Sequence, residues 1–202
     1  MPAMEDIMVE PPAPGQRADP VNFFRSPGPV ELEIGCGKGS FLLRRAREHP
    51  EVRLLGIEWA NKYYRYAADR MARWGVENVR IMRTDARNFV LHHLVPECLS
   101  ALHVYHPDPW PKTRHHKRRL FQPDFAAVAT ATLKRGGRWA IQTDHEDYFQ
   151  WIRDVMARQD DLESIPFDDP SYGVVANRVQ TNFEIKYLRE GRAVYRLAYR
   201  KK

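Results

Sequence analysis

From Pro29 onward the chain alternates between two hydrophobic periods, and this alternation constrains its fold more than any other feature. Apolar runs at 30–35 (VELEIG), 52–58 (VRLLGIE), 79–83 (VRIMR), 100–106 (SALHVYH) and 138–143 (RWAIQT) have the length and composition of strands. Between them the 3.6-residue repeat of helices appears at 40–49, at 60–74, in a short segment reaching about Leu94, from Pro123-Asp124 onward, and at 145–157. The clearest is 60–74, where Ala60, Tyr63, Tyr64, Ala67, Ala68, Met71 and Trp74 recur on one face and Gly75 supplies the stop. The helix after Pro123 is expected to bury Phe125, Val128, Ala129 and Leu133 and to end at Gly136-Gly137. The next is expected to bury Tyr148, Phe149, Ile152, Val155 and Met156. Such alternation predicts an α/β fold with a mainly parallel sheet and helices on both faces. After a short helix and a turn at Gly191, a closing strand at 193–200 is expected to add an antiparallel partner.

In sheets of this kind, ligands bind beyond the carboxyl ends of the strands. The first predicted strand ends in Gly35-Cys-Gly-Lys-Gly39, and the next four end beside Glu58, Asp85, Asp108 and Asp144. One such acid is commonly a helix cap or a turn residue. Four in succession make a polar rim, and a rim on this edge marks a site.

The 202 residues suit one domain, placed here at 29–202, behind an irregular proline-rich arm at 1–28. Seven of the fifteen prolines fall within the first 29 residues. No apolar run approaches the roughly 20 residues of a membrane span, and the start MPAMEDIMVEPPAPG has neither the charge nor the apolar stretch of a secretory signal. Only Cys36 and Cys98 occur, too few and too far apart for a disulfide framework or a cysteine-based metal site, so a cytoplasmic protein without metal is expected. Formal net charge is +6, concentrated at Lys112–Arg119 and in the C-terminal basic residues from Lys186 to Lys202. Clustering of this kind is the usual footprint of a polyanion partner.

The spacing of Gly35, Gly37 and Gly39 fits neither the dinucleotide fingerprint, since Ser40 stands where its last glycine belongs, nor a phosphate-binding Walker loop. Glu58, at the end of the second strand, is placed to accept from ribose hydroxyls, and Asp85 from an adenine amino group. Glu33 puts a negative charge close to the loop, which suits a cationic ligand and opposes a pyrophosphate. An adenosine with positive charge and no phosphate is implied, and S-adenosylmethionine fits. The layout resembles that of the seven-stranded class I methyltransferases.

After the fourth strand comes HPDPWPKTRHHKRRLF, residues 106–121. Pro107, Pro109 and Pro111 stiffen a strut that presents Asp108 and Trp110, and a run of five Lys or Arg without an acid follows. Together with EIGCGKG, GIEWA, QTD and TNFE, this run resembles the tRNA (guanine-N7-)-methyltransferases over essentially everything from Pro29 to the C-terminus. The resemblance implies a Rossmann-like fold, a seven-stranded and mostly parallel sheet with one antiparallel strand near the C-terminus. It implies S-adenosylmethionine as cofactor and a guanine in the variable loop of tRNA as target. It also implies a free-standing enzyme, monomer or homodimer, without an obligatory partner subunit. By the same resemblance Glu33, Glu58, Asp85 and Asp108 match cofactor-site acids beside Gly35 and Gly37, and Asp108 matches the catalytic position. Lys112, Asp144, Thr181, Asn182, Phe183 and Glu184 match substrate-binding positions.

The chemistry narrows the roles further. Guanine N7 carries a lone pair and no proton, so methyl transfer needs alignment rather than a general base. The opposite edge of guanine offers N1–H and an amino group, which one carboxylate accepts as a bidentate pair. Asp108, Asp144 and Glu184 are candidates, with Asp108 favoured. Trp110 is either a base-stacking platform or a core indole. Arg114, Lys117, Arg118 and Arg119 are candidate phosphate contacts. The rival readings are a methyltransferase acting on another nucleobase position and a non-catalytic RNA-binding subunit.

Overall fold

The strand VELEI shows how this sequence builds its sheet. Its five residues, Val30–Ile34, are all buried, so both faces of the strand are covered. Val30, Leu32 and Ile34 join one hydrophobic layer, while Glu31 and Glu33 point into the other.

In the computed structural model, residues 2–172, 190–191 and 193–202 are described. In chain order the elements begin with α1 (Met4–Ile7), β1 (Met8–Val9), β2 (Val30–Ile34), α2 (Ser40–Glu48), β3 (Arg53–Ile57) and α3 (Asn61–Arg73). They continue with β4 (Val79–Met82), α4 (Ala86–His92), β5 (Leu99–Tyr105), α5 (Pro123–Thr132), β6 (Leu133–Thr143), α6 (Glu146–Met156), β7 (Leu162–Ile165) and β8 (Tyr195–Lys201). One sheet orders them β1-β4-β3-β2-β5-β6-β8-β7. The β1, β4, β3, β2, β5 and β6 pairings are parallel, and β8 runs antiparallel to both β6 and β7.

The chain therefore has the expected mostly parallel α/β sheet with one inverted strand near its C-terminus, and it carries an eighth strand that the sequence reading did not include. That strand comes from the proline-rich arm. Its short β1 pairs with β4, and Ile7 beside it is fully buried against the α2–α3 layer. The expectation of an irregular arm is corrected for residues 4–9, because one buried isoleucine and a free sheet edge are enough to dock them. The four-residue β7 had also gone unread; only Leu162 in it is buried, too little to give a period.

Further corrections concern faces and ends. In α3 only Tyr64, Ala67, Ala68 and Met71 are buried; Tyr63 and Trp74, expected in the core, are exposed. Trp74 instead packs under the Arg47 guanidinium at 4.9 Å. The helix α5 stops at Thr132, before Gly136-Gly137, and these glycines lie inside β6. Val128 and Phe149, also expected to be buried, are half-buried, Val128 packed against the core and Phe149 stacked on Tyr195 at 4.9 Å. The helices α2 and α3 cover one face of the sheet and α4, α5 and α6 the other.

Candidate active site

The turn after β2 has three glycines in the left-handed region, with φ of 72° at Gly35, 54° at Gly37 and 68° at Gly39. A Cβ at Gly35 would meet nothing within 4 Å, so this backbone stays open to a ligand. A Cβ on Gly39 would lie 2.7 Å from Met71 Cε, so the third glycine serves the contact between α2 and α3. Across the turn stands Glu58. One of its oxygens accepts from Gly37 N–H at 2.9 Å and the other from Ala60 N–H at 2.8 Å. A carboxylate has about four acceptor positions, so Glu58 ties the glycine turn to β3 and keeps capacity for ribose hydroxyls.

Glu31 and Glu33 share a strand face and have opposite fates. Burial pushes Glu31 up, but hydrogen bonds from His103 and from Arg45, at 3.0 and 2.6 Å, outweigh it and hold the carboxyl at about 2. Burial lowers the His103 pKa more than Glu31 raises it, so the imidazole is neutral, donating through Nε2 and accepting the Tyr105 hydroxyl at Nδ1, 2.9 Å away. Glu33 has no such company. Its Oε2 is buried without a hydrogen-bond partner, and burial with the nearby charge of Glu58 raises its pKa to about 8. A buried carboxyl oxygen without a partner beside an open glycine turn suits a cation.

These groups meet in one cavity of about 630 Å³ beyond the carboxyl ends of β2, β3, β4 and β5, a volume typical of small-molecule sites. Its walls include Glu33, Gly35, Gly37, Glu58, Asp108, Trp110 and Arg118. Asp85 is not among them, although its neighbours Thr84 and Ala86 are; its Oδ1 caps α4 by accepting from Asn88 N–H at 2.7 Å. Asp144 lies outside the wall as well, 3.5 Å from His106 Nδ1. Four aromatic residues at the cavity, Phe41, Trp59, Tyr63 and Tyr105, were missed as site residues. Trp59 is 68% exposed, and Tyr63, 41% exposed, faces the cavity instead of the core. Trp59 directly follows Glu58 in GIEWA, and that adjacency was the available signal.

The loop after β5 is held in a costly shape. His106 at φ 52° and Trp110 at φ 43° are non-glycine residues in the left-handed region, and they bracket Asp108. Such residues cost of order 1–3 kcal/mol each and persist only where their surroundings fix them. Arg119 does much of the fixing. Its side chain is 1% exposed, and its Nε donates to Pro109 O at 2.9 Å. Its Nη2 pairs with Asp147, and its guanidinium lies over Tyr148 and Trp151. Arg119 was read as a phosphate contact; the structure corrects this, because its donors are turned inward to the loop. Lys112, Arg114, Lys117 and Arg118 remain exposed along a 3-10 turn at Thr113–Arg118. Trp110 is half-buried at the cavity wall, with Arg118 over its ring at 4.9 Å and the edge of His115 against it at 5.8 Å. Thr181, Asn182, Phe183 and Glu184 lie outside the described residues.

Comparison with known proteins gives the family. The family described as "Putative methyltransferase" matches residues 27–197. A tRNA (guanine-N(7)-)-methyltransferase of Alkalilimnicola ehrlichii is 37% identical over 194 residues, 96% of this chain and 81% of that protein. One from Myxococcus xanthus is 38% identical over 178 residues, covering 86% and 84%. The chain belongs to the tRNA (guanine-N7-)-methyltransferase family. Among solved structures, an rRNA methylase from Streptococcus thermophilus superposes with TM-score 0.57 at 14% identity over 86% of this chain and 87% of that one. The TrmN protein of Thermus thermophilus gives TM-score 0.57 at 18% identity over 87% and 45%. These likenesses are of fold. The family's cofactor, S-adenosylmethionine, fits the cavity on the chain's own terms, since it is a cation with a ribose and no phosphate, matching Glu33 and Glu58.

Proposed function

We propose that this chain transfers the methyl group of S-adenosylmethionine to N7 of a guanine in tRNA, with Asp108 as the residue that orients the base. The observation that carries this reading is the placement of Asp108 in the same cavity as Glu33, Glu58 and the glycine turn, on a loop whose backbone is held in a strained shape. When bound, the cofactor supplies a methyl on a sulfonium. Methylation at N7 would leave a positive charge on the purine, which the Asp108 carboxylate would offset. No proton moves to or from N7, so the residues act by alignment and charge.

Glu33 and Glu58 hold the cofactor side, Glu58 through its remaining acceptor positions and Glu33 through the charge it takes up beside a cation. Asp108 accepts from the N1–H and amino group of guanine, a pair adenine does not present. Trp110, stiffened by its neighbours and backed by Arg118, offers a face for the base. Lys112, Arg114, Lys117 and Arg118 are exposed cations in position to meet phosphates, and Asp144 with Thr181–Glu184 completes the substrate side of this proposal. Among the described residues no helix is long and apolar enough to cross a membrane, and no group of three or more His, Cys, Asp or Glu could hold a metal. We place the reaction in the cytoplasm, with a monomer or homodimer as the acting unit. Activity that follows enzyme concentration linearly in the purified chain alone is the expected result.

The test compares wild type with Asp108→Ala and Asp108→Asn on unmodified tRNA. Loss of one bidentate base contact predicts a fall in kcat/KM of about 10- to 100-fold, larger for alanine if charge relief adds to orientation. Unchanged kcat/KM in both variants removes Asp108 from the site.

A further inference from the structure

At the other end of the strands, away from the methyl-transfer cavity, lies a second cavity of about 510 Å³. It is walled by the starts of β2 and β5, by Arg45 and His49 of the α2 end, and by the Lys134–Arg138 stretch of β6. Its charged lining is unbalanced. Arg45, Lys134, Arg135 and Arg138 face two acids, Glu31 and Glu51. Glu31 is fully engaged by Arg45 and His103, and Glu51 lies 3.2 Å from His49.

Arg138 is the residue this arrangement leaves unexplained. Its side chain is among the largest fully buried in the protein, at 1% exposure. One nitrogen, Nη2, donates to Phe167 O, and the rings of Phe167 and Tyr172 lie 5.1 and 5.7 Å from the guanidinium carbon. Its Nε and Nη1 are buried with no hydrogen-bond partner. No carboxylate pairs with it among the described residues. An arginine does not escape this situation by losing its proton. Glu31, already bonded to Arg45 and His103, and Asp169 act on Arg138 only through space; a buried guanidinium with two idle donors is costly, and in a native protein such a group points to a missing partner. An anion with several acceptor oxygens suits this lining, because the buried Arg138 and the rim cations Lys134 and Arg135 border one polar cavity.

We propose that this cavity binds a phosphate group, with Arg138 as its buried cation and Lys134 and Arg135 as its rim. Phosphate matches the lining better than a carboxylate does, since it brings more acceptors and up to two charges to a guanidinium fork. The rim turns sharply. Gly136 has φ 77°, and a Cβ on Gly137 would lie 2.8 Å from Lys134 O, so the Lys134–Arg138 stretch tolerates only glycine at its bend. The phosphate belongs either to a small ligand or to an RNA backbone, and the experiment separates the two.

Thermal denaturation of the full chain is followed in rising potassium phosphate, with potassium chloride holding ionic strength constant. Wild type is expected to gain Tm in a saturable way. In Arg138→Met the half-maximal phosphate concentration is expected to rise about tenfold or more, the worth of a charge-assisted hydrogen-bond pair. Arg138→Met should also equal or exceed the wild-type Tm without phosphate, because it removes a buried unpaired charge. A response that is absent, or identical in Arg138→Met, overturns the site, and the identical case assigns the effect to the basic loop or to bulk salt. If Arg138→Met does not fold, the Lys134→Ala/Arg135→Ala variant carries the test, with a weakened response expected and an unchanged one overturning the proposal. Repeating the titration with an oligoribonucleotide lacking terminal phosphates separates the sources. An Arg138-dependent response to it assigns the site to RNA backbone, and a response to free phosphate alone assigns it to a small phosphate-bearing ligand.

Discussion

Glu31 and Glu33, two residues apart on one strand, show how much a single residue's role depends on its neighbours. Both are buried, yet one is held at about 2 and the other raised to about 8. Glu31 has Arg45 and His103 beside it, partners 14 and 72 residues away in sequence. The alternation in VELEI placed both acids on one face; which of them finds a partner is settled by those distant contacts and was not legible locally. The raised Glu33 has a definite sign. Unfolded, it ionises near 4.5; folded, it keeps its proton to about 8. Its contribution to stability is therefore complete below 4.5 and lost as pH rises through about 8. Without cofactor, wild type should lose about 2–3 kcal/mol between pH 6 and 9 from this group, measured by urea denaturation, and Glu33→Gln should not show that loss. Cofactor binding should show the reverse trend. A cation favours the ionised carboxyl, so S-adenosylmethionine affinity, read by calorimetry, should tighten as pH approaches 8 in wild type and stay flat in Glu33→Gln. A pH-independent wild-type affinity would remove Glu33 from the cation seat.

At the scale of elements, the loop between β5 and α5 divides into a clamp and a contact surface. In sequence its cations look alike. The 3-10 turn separates them, because three residues per turn bring positions 116 and 119 to one side, and Arg119 is buried there. The basic run makes Arg119 look like one more phosphate contact, since nothing local announces a 3-10 turn. The division predicts two kinds of variant. Arg119→Ala should lose about 2 kcal/mol of stability, the worth of hydrogen bonds to a charged group, and should lower kcat as the Asp108 strut loosens. Lys112→Ala and Lys117→Ala should leave Tm unchanged and weaken tRNA binding. Each should also reduce the salt dependence, d log K/d log[salt], by about 0.7–0.9. Fluorescence titrations from low to moderate salt read this directly. The proline-stiffened strut itself was legible, because its fixed φ angles belong to the residues and not to their surroundings.

At the scale of the molecule, the parallel sheet was readable from alternation because each buried strand is a short apolar run closed by a turn. Two edges were not. The strand β7 buries one residue, and the docked arm is a four-residue helix and a two-residue strand, both too short for a period to repeat. The arm nevertheless carries Ile7, fully buried between the sheet and α3. Ile7→Ala should destabilise the protein by about 2–5 kcal/mol, by chemical denaturation, whereas a detached arm would tolerate it within a few tenths. The site is also a property of the whole sheet, since Glu33, Glu58 and Asp108 come from three strand ends and only adjacency of β3, β2 and β5 unites them. That adjacency follows from the topology. The exact walls do not, which is why Asp85 caps α4 while Trp59 and Tyr63 line the cavity.

Methyl transfer from radiolabelled S-adenosylmethionine to unmodified tRNA transcripts, with nucleoside analysis of the product, tests the central claim most directly. The account predicts label in 7-methylguanosine with the wild-type chain and its loss with Asp108→Ala. Label in a different nucleoside, or 7-methylguanosine formed undiminished by Asp108→Ala, would contradict it.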